Sequence, residues 1–160
     1  MSIAVGDTAH HLGVGTLLAG VLREAGLAAE ARPAGSVPGV VPYDAVVVGG
    51  ALYAGRWQKD ARRFVRRHRR DLAGRPVWFF SSGPLDPSAS ARDIPPEAGV
   101  RRAMDRVDAR EHITFGGCLE EGAKGWIARM ILREGRGGDF RDFPAIEAWA
   151  AEVAAELTAR

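Results

Sequence analysis

An unbroken apolar run, Ala45 to Val48, most constrains what this chain can fold into, because it stops abruptly at Gly49-Gly50. A run without polar alternation is typical of a strand that is buried on both faces of a parallel sheet. A loop with glycine and aromatic residues follows, and then a strongly basic helix begins. Ligands of open α/β sheets collect at the carboxyl ends of such strands. We therefore expect this loop to border a planar cofactor or substrate, with Tyr53 and Trp57 offering flat ring surfaces.

The length and composition predict a single domain that comprises residues 1–160. Hydrophobic residues make up 46% of the chain and charged residues 26%, which is ordinary for a domain with its own core. No apolar segment approaches the roughly 20 residues that cross a bilayer, and the N-terminus lacks the basic start of a signal peptide. The single cysteine, Cys118, excludes an internal disulfide and fits a reducing compartment. We therefore expect a cytoplasmic protein.

Strand and helix patterns alternate along the chain. The predicted strands are 3–5, 27–31, 45–49, 77–80 and 112–115, and the predicted helices are 12–25, 58–72, 97–109, 123–133 and 144–159. This alternation implies a parallel sheet with helices on both faces. Five strands in a chain of this length predict a three-layer, doubly wound α/β fold with strand order 2-1-3-4-5.

Three segments carry a resemblance to a known family. They are residues 43–57, residues 75–85, and residues 138–143 with the following helix that contains Trp149. The chain resembles flavodoxin-domain proteins, and among them the actinobacterial group related to menaquinone-dependent protoporphyrinogen oxidase. The resemblance implies a flavodoxin-like fold, a bound FMN, and an oxidoreductase or electron-transfer role that could be linked to quinones.

The resemblance also implies where FMN would lie. Its phosphate would bind after the first strand, and its ring would lie between the loops after the third and fourth strands. The residues implied are Asp7, Thr8, His10 and His11 on the phosphate side, Ala51, Leu52, Tyr53, Ala54, Gly55 and Trp57 after the third strand, and Ser82, Gly83 and Gly117 after the next two. No metal is expected, since no histidine or carboxylate cluster with ligand spacing accompanies the histidines.

The phosphate segment departs from the family pattern, which is Ser-x-x-Gly-x-Thr. This chain keeps Thr8 among the hydroxyls, and it has His10-His11 where serine and threonine are usual. A Gly-x-Gly-Thr sequence at 13–16 could serve instead if the helix starts late. In one alternative the imidazoles donate to the phosphate. In the other the chain has lost FMN, and His10 or His11 acts as an acid or base on a planar aromatic substrate.

Basic residues are concentrated between positions 56 and 70. They are Arg56, Lys59, Arg62, Arg63, Arg66, Arg67, Arg69 and Arg70, against the single acid Asp60. The plainest interpretation is the solvated face of a helix. The functional alternatives are an acidic partner protein or redox partner, or an anionic membrane surface that would make the protein peripheral to a membrane. Nucleic acid is not expected, because no nucleic-acid-binding motif accompanies the charge.

Overall fold

The computed structural model describes residues 1–7, 13–53, 56–83, 94–116, 118–119, 138–139 and 142–159. Several predicted features lie outside these described residues. They are the site residues Thr8, His10, His11, Ala54, Gly55 and Gly117, and the helix predicted over 123–133.

Eight strands and four α-helices are present in the described part of the chain. The strands are β1 (Ser2–Asp7), β2 (Ala28–Pro33), β3 (Ala45–Tyr53), β4 (Arg56–Trp57), β5 (Val77–Ser82), β6 (Glu111–Phe115), β7 (Cys118–Leu119) and β8 (Gly138–Asp139). The helices are α1 (Val14–Glu24), α2 (Lys59–Ala73), α3 (Ala98–Val107) and α4 (Phe143–Thr158), with a 3-10 turn at Ala34–Ser36. Apart from β3 and the three two-residue strands, each element begins and ends within two residues of its predicted position.

The main sheet has six strands, and this corrects the prediction of five strands in the order 2-1-3-4-5. Five parallel strands follow the order β2-β1-β3-β5-β6, and β4 pairs antiparallel with the end of β3. Leu52 faces Trp57 across this pairing, and Tyr53 faces Arg56. The sequence analysis assigned Arg56 and Trp57 to a loop and the start of a helix, because two paired residues are too few to show a strand period. β7 and β8 form a separate two-stranded sheet.

The central strand β3 is longer than predicted. It continues through Gly49-Gly50 to Tyr53, whereas the sequence analysis took the two glycines as its end. The glycines serve close packing instead, since a Cβ built on Gly49 would overlap the Phe80 ring and one on Gly50 would lie 2.8 Å from Trp57. Glycine inside a strand often marks such an approach of a neighbour rather than a break.

Two hydrophobic cores lie on the two faces of the sheet. On β3, Val47 points into the core under α1 and α4, while Val46 and Val48 point into the core under α2 and α3. This explains the unbroken apolar run, because both faces of the strand are buried. Trp78 and Trp149 lie in the first core at 0% and 2% exposure.

Helix α4 shows how local sequence defines an element. The Asp142 carboxylate accepts a hydrogen bond from the Ala145 N–H at 3.1 Å and so caps the helix, and a proline lies in the first turn. Ile146, Trp149 and Val153 recur at helical spacing and are buried. In the described part of the chain, no helix is long and apolar enough to cross a membrane.

Candidate functional site

The carboxyl ends of the parallel strands meet at one edge of the sheet. Register pairs Gly6 with Val48, Ala51 with Ser82, and Ser82 with Phe115. β3 therefore extends beyond the end of β1 and forms a wall on that edge. The predicted site residues Ala51, Leu52 and Ser82 are brought together there from two distant segments of the chain. Ligands of doubly wound sheets bind at this edge.

The end of β3 and the residue that follows β5 are in close contact at this edge. A Cβ built on Gly83 would lie 2.6 Å from the Leu52 Cβ, so only glycine permits this approach. The Gly83 N–H donates to the Phe115 carbonyl oxygen at 3.1 Å, which fastens the end of β5 to β6. Ala51, Leu52 and Gly83 remain half-buried, and Ser82 is 9% exposed. The wall is thus built of small and apolar groups.

Trp57 does not lie on the surface as the sequence analysis expected. Its side chain is 2% exposed, and its ring centroid lies 5.0 Å from that of Phe79. The pairing of β4 with β3 turns the indole into the core under α2. A planar ligand therefore finds no exposed face of Trp57 in this arrangement.

A buried network of side-chain hydrogen bonds connects β4, β5 and β6 next to this edge. The Trp57 indole Nε1–H donates to Ser81 Oγ at 2.8 Å, and Ser81 Oγ lies 2.8 Å from His112 Nε2. Ser81 is 1% exposed, so these bonds take the place of water for its hydroxyl. The sequence analysis did not identify Ser81 or His112. The signal was present in the polar Ser81 that follows four apolar strand residues, but its partners are remote in sequence.

On the side where the phosphate is predicted to bind, the described residues include the start of α1. This helix begins at Val14 rather than at the predicted residue 12, with Gly13 as its N-cap residue. Gly13 O accepts hydrogen bonds from the N–H groups of Thr16 and Leu17 at 3.1 and 3.4 Å. Among the described residues no side chain caps the helix, and its first turn contains no acidic residue. The late start is the condition under which the Gly-x-Gly-Thr sequence could meet a phosphate.

The helix start has the chemistry of an anion site. Since α1 follows β1, its N-terminus lies at the carboxyl edge of the sheet, where the helix dipole is positive. The positive end of the helix dipole suits a phosphate, and the wall of Leu52 and Gly83 suits a flat apolar ring. The described residues therefore fit FMN on both counts. The alternative use of His10 and His11 concerns residues outside the described part of the chain and stays a prediction.

Two titrating groups with shifted pKa values lie away from this edge. The pKa of His68 is lowered, first by burial and then by the nearby Arg67 guanidinium. The pKa of Tyr43 is raised by burial and by its hydrogen bond to Glu30 at 3.0 Å. Neither group faces the strand ends. Among the described residues, no group of three or more metal-ligating side chains could hold a metal ion.

The fold defines a doubly wound α/β protein, a class in which ligands bind at the carboxyl ends of the strands. The sequence model of one family, described as the flavodoxin domain, matches residues 13–135. This match spans more than half of the chain, and the chain belongs to the flavodoxin domain family. Among proteins with curated descriptions, none matches the chain significantly.

Solved structures share the fold at low sequence identity. A cysteine mutant of flavodoxin from Pseudomonas aeruginosa is 19% identical, with a TM-score of 0.62 over 98% of this chain and 99% of that one. Rubredoxin oxygen:oxidoreductase from Desulfovibrio gigas is 10% identical, with a TM-score of 0.63 over 99% of this chain and 36% of that one. An NADH:FMN oxidoreductase in its apo form is 13% identical, with a TM-score of 0.55 over 94% of this chain and 89% of that one. At these identities the similarity shows the fold alone.

Proposed function

We propose that this protein binds FMN and acts as an oxidoreductase or electron-transfer protein. The observation that carries the proposal is the start of α1. In the part of the chain that the structure describes, it has no side-chain cap and no acid in its first turn, and it lies at the same edge as the Leu52–Gly83 wall. Membership of the flavodoxin domain family supports the same function. When bound, FMN supplies one- and two-electron chemistry through its ring system.

The chain's own groups would hold the cofactor in two parts. The start of α1 would take the phosphate through the positive end of the helix dipole. Leu52 and Ala51 would border the ring and exclude water from one side of it. The Gly83 N–H is already used by the Phe115 carbonyl, so Gly83 would contribute space and not a donor. No residue is assigned as a catalytic acid or base.

The absorption spectrum of the purified protein and an FMN titration test this function. We expect a yellow protein, or saturable quenching of flavin fluorescence on addition of FMN. Thr16→Asp would place a carboxylate in the exposed first turn of α1 and weaken FMN binding by about tenfold, since its negative charge neutralises the positive end of the helix dipole and repels the phosphate. Gly20→Asp is the matched control, because a Cβ there meets nothing within 4 Å in the middle of the same helix.

A colourless protein that fails to bind added FMN would overturn the proposal. Equal weakening by Thr16→Asp and Gly20→Asp would show that the start of α1 is not the phosphate site.

A finer proposal is that the electron acceptor or donor is a quinone, as in the group related to menaquinone-dependent protoporphyrinogen oxidase. The basic character of α2 supports this group over small acidic electron shuttles. The test is to reduce the FMN-loaded protein without oxygen, add the soluble quinone menadione, and follow the flavin absorbance. We expect reoxidation faster than that of free reduced FMN at the same concentration. A rate equal to that of free FMN would contradict the quinone link.

A further inference from the structure

A cationic groove of about 660 Å³ runs between α2 and α3, on the sheet face opposite α1 and α4. From β4 and α2 it is lined by Arg56, Lys59, Arg62, Arg63 and Arg66. From α3 it is lined by Arg102 and Arg106. The single acid among its lining residues is Glu97, whose carboxylate accepts a hydrogen bond from the Gly99 N–H at 2.9 Å and caps α3.

The seven groove cations are exposed and form no ion pair with any described residue. The ion pairs present in the described part of the chain are Arg32–Glu30 and Arg110–Glu156, and both lie away from the groove. Like charges gathered along a concave surface produce a strong positive potential there. The protein carries a formal charge of only +2, so this potential belongs to the groove and not to the molecule as a whole.

The cations form two rows that follow the helix axes. On α2, Lys59, Arg62 and Arg66 recur at intervals of three and four residues, and on α3, Arg102 and Arg106 recur at four. Each interval advances about 5–6 Å along a helix. An acidic helix presents carboxylates on one face at the same spacing. The two rows therefore match an acidic helical segment in both charge and repeat.

The other polyanions fit the groove less well. A membrane surface is flat and cannot follow a concave groove, and the described exposed large hydrophobic residues, Met1, Val41 and Phe143, lie elsewhere. Single-stranded nucleic acid is held largely by stacking on exposed aromatic rings. The one aromatic residue that lines the groove, Trp57, is buried and occupied by Phe79 and Ser81.

We propose that this groove binds an acidic helical segment of a partner protein. The end of the groove at Arg56 and Glu97 lies at the carboxyl edge of the sheet, because α2 and α3 both begin there. A partner seated in it would lie next to the Leu52–Gly83 wall. Its use as a docking site for electron transfer rests on the proposed function, whereas the binding itself depends on the groove charges alone.

The test uses a synthetic helical peptide with glutamate at every third or fourth position and alanine elsewhere, labelled for fluorescence anisotropy. We expect the full protein to bind it, to lose affinity as salt is raised, and not to bind the glutamine version. The variant Arg62→Glu/Arg102→Glu should lose affinity by about tenfold or more, since it places like charges against the peptide.

The matched control is Arg69→Glu/Arg101→Glu, which makes the same charge change on the same two helices but outside the groove. It should lose affinity by about threefold at most. Equal losses in the two variants would overturn the proposal, as would tighter binding to an oligothymidine of equal charge or to phosphatidylserine vesicles.

Thermal unfolding and FMN titration of both variants complete the design. All four arginines are exposed, so we expect both variants to remain folded. If the peptide binds at the groove while FMN does not bind, the proposed function fails and this inference stands. If FMN binds while the peptide result is negative, the inference alone fails.

Discussion

At the scale of single residues, the glycines in the middle of β3 determine how closely the neighbouring side chains approach. Gly49 faces Phe80 across the sheet, and Phe80 is held at 0% exposure between Phe115 and Trp149. The ring cannot swing into solvent to make room for a larger residue. The same principle places Gly83 against Leu52, where the candidate site begins.

The first prediction follows from this packing. Gly49→Ala should lower the free energy of unfolding by about 1–3 kcal/mol, because its methyl group overlaps the Phe80 ring. Chemical denaturation measures the change. The control is Gly39→Ala, where a Cβ meets nothing within 4 Å, and it should change stability by about 0.5 kcal/mol or less. Similar effects at both positions would argue against overlap as the cause.

A second prediction concerns the buried hydrogen-bond network of Trp57, Ser81 and His112. Ser81→Ala would remove the acceptor of the indole N–H and the partner of the imidazole, at a cost of about 1–3 kcal/mol. The midpoint of chemical denaturation reports the loss. Ser36→Ala removes an exposed hydroxyl that bonds to the Pro33 carbonyl oxygen, and we expect it to cost about 0.5 kcal/mol or less. If Ser81→Ala is as stable as the wild type, the hydrogen bonds among Trp57, Ser81 and His112 contribute little to the free energy of unfolding.

At the scale of elements, α2 combines a cationic face with a packed face. Phe64, Val65 and Leu72 are buried against the sheet, while the arginines between them stay exposed. His68 lies on the packed face at 8% exposure, with its ring centroid 4.9 Å from that of Phe64. Its backbone departs from helical geometry, at φ −107° and ψ 15°, so the helix is kinked at a buried histidine. The packed face of α2 therefore contains a buried group that can take up a proton.

The third prediction uses this histidine. Burial first, and the Arg67 charge second, lower the pKa of His68 in the folded protein below its usual value of 6.5, while Asp71 opposes the shift. The unfolded chain thus takes up the proton more readily. Stability from this group is fully present above pH 6.5 and is lost as the pH falls toward the lowered pKa.

The measurement is the free energy of unfolding of the wild type and of His68→Leu between pH 8 and pH 5. Below pH 6.5 the stability of the variant should fall less steeply, since it has no imidazole to protonate. Other groups titrate equally in both proteins and cancel in the difference. Parallel curves would show that His68 is not the source of the dependence.

At the scale of the whole molecule, the doubly wound sheet brings remote segments to one edge. The start of α1, the end of β3 and the end of β5 are separated by tens of residues, yet all reach the carboxyl ends of the parallel strands. The two helical layers cover the opposite faces and leave this edge for a ligand. A ligand bound there contacts several elements at once and should stabilise the fold as a unit.

The fourth prediction is a thermal shift that depends on the phosphate. FMN at about 100 times its dissociation constant should stabilise the protein by roughly 2.7 kcal/mol and raise its Tm. Riboflavin has the same ring without the phosphate, so it should give a smaller shift at equal concentration. Calorimetry of the two mixtures measures the difference. Equal shifts would mean that the Leu52–Gly83 wall alone provides the binding energy. The start of α1 would then contribute nothing to FMN binding.

Much of the fold could be predicted because its signals are local. The apolar run of β3 and the helical spacing of Ile146, Trp149 and Val153 depend on neighbouring residues, and each identified its element. The alternation of strands and helices then indicated the doubly wound sheet. The edge that forms the candidate site followed from the same alternation, since parallel strands end together.

Tertiary contacts alone decided the rest. Whether Gly49-Gly50 ends a strand depends on Phe80, and whether Trp57 is exposed depends on Phe79 and Ser81. Ser81 and His112 lie 31 residues apart, and no periodic pattern connects them. By itself the sequence determined the main elements, their order and the edge at which the candidate site lies, because these follow from local hydrophobic periods. Only the folded chain determined which side chains are buried there and which cations share a groove, because both depend on contacts between distant segments.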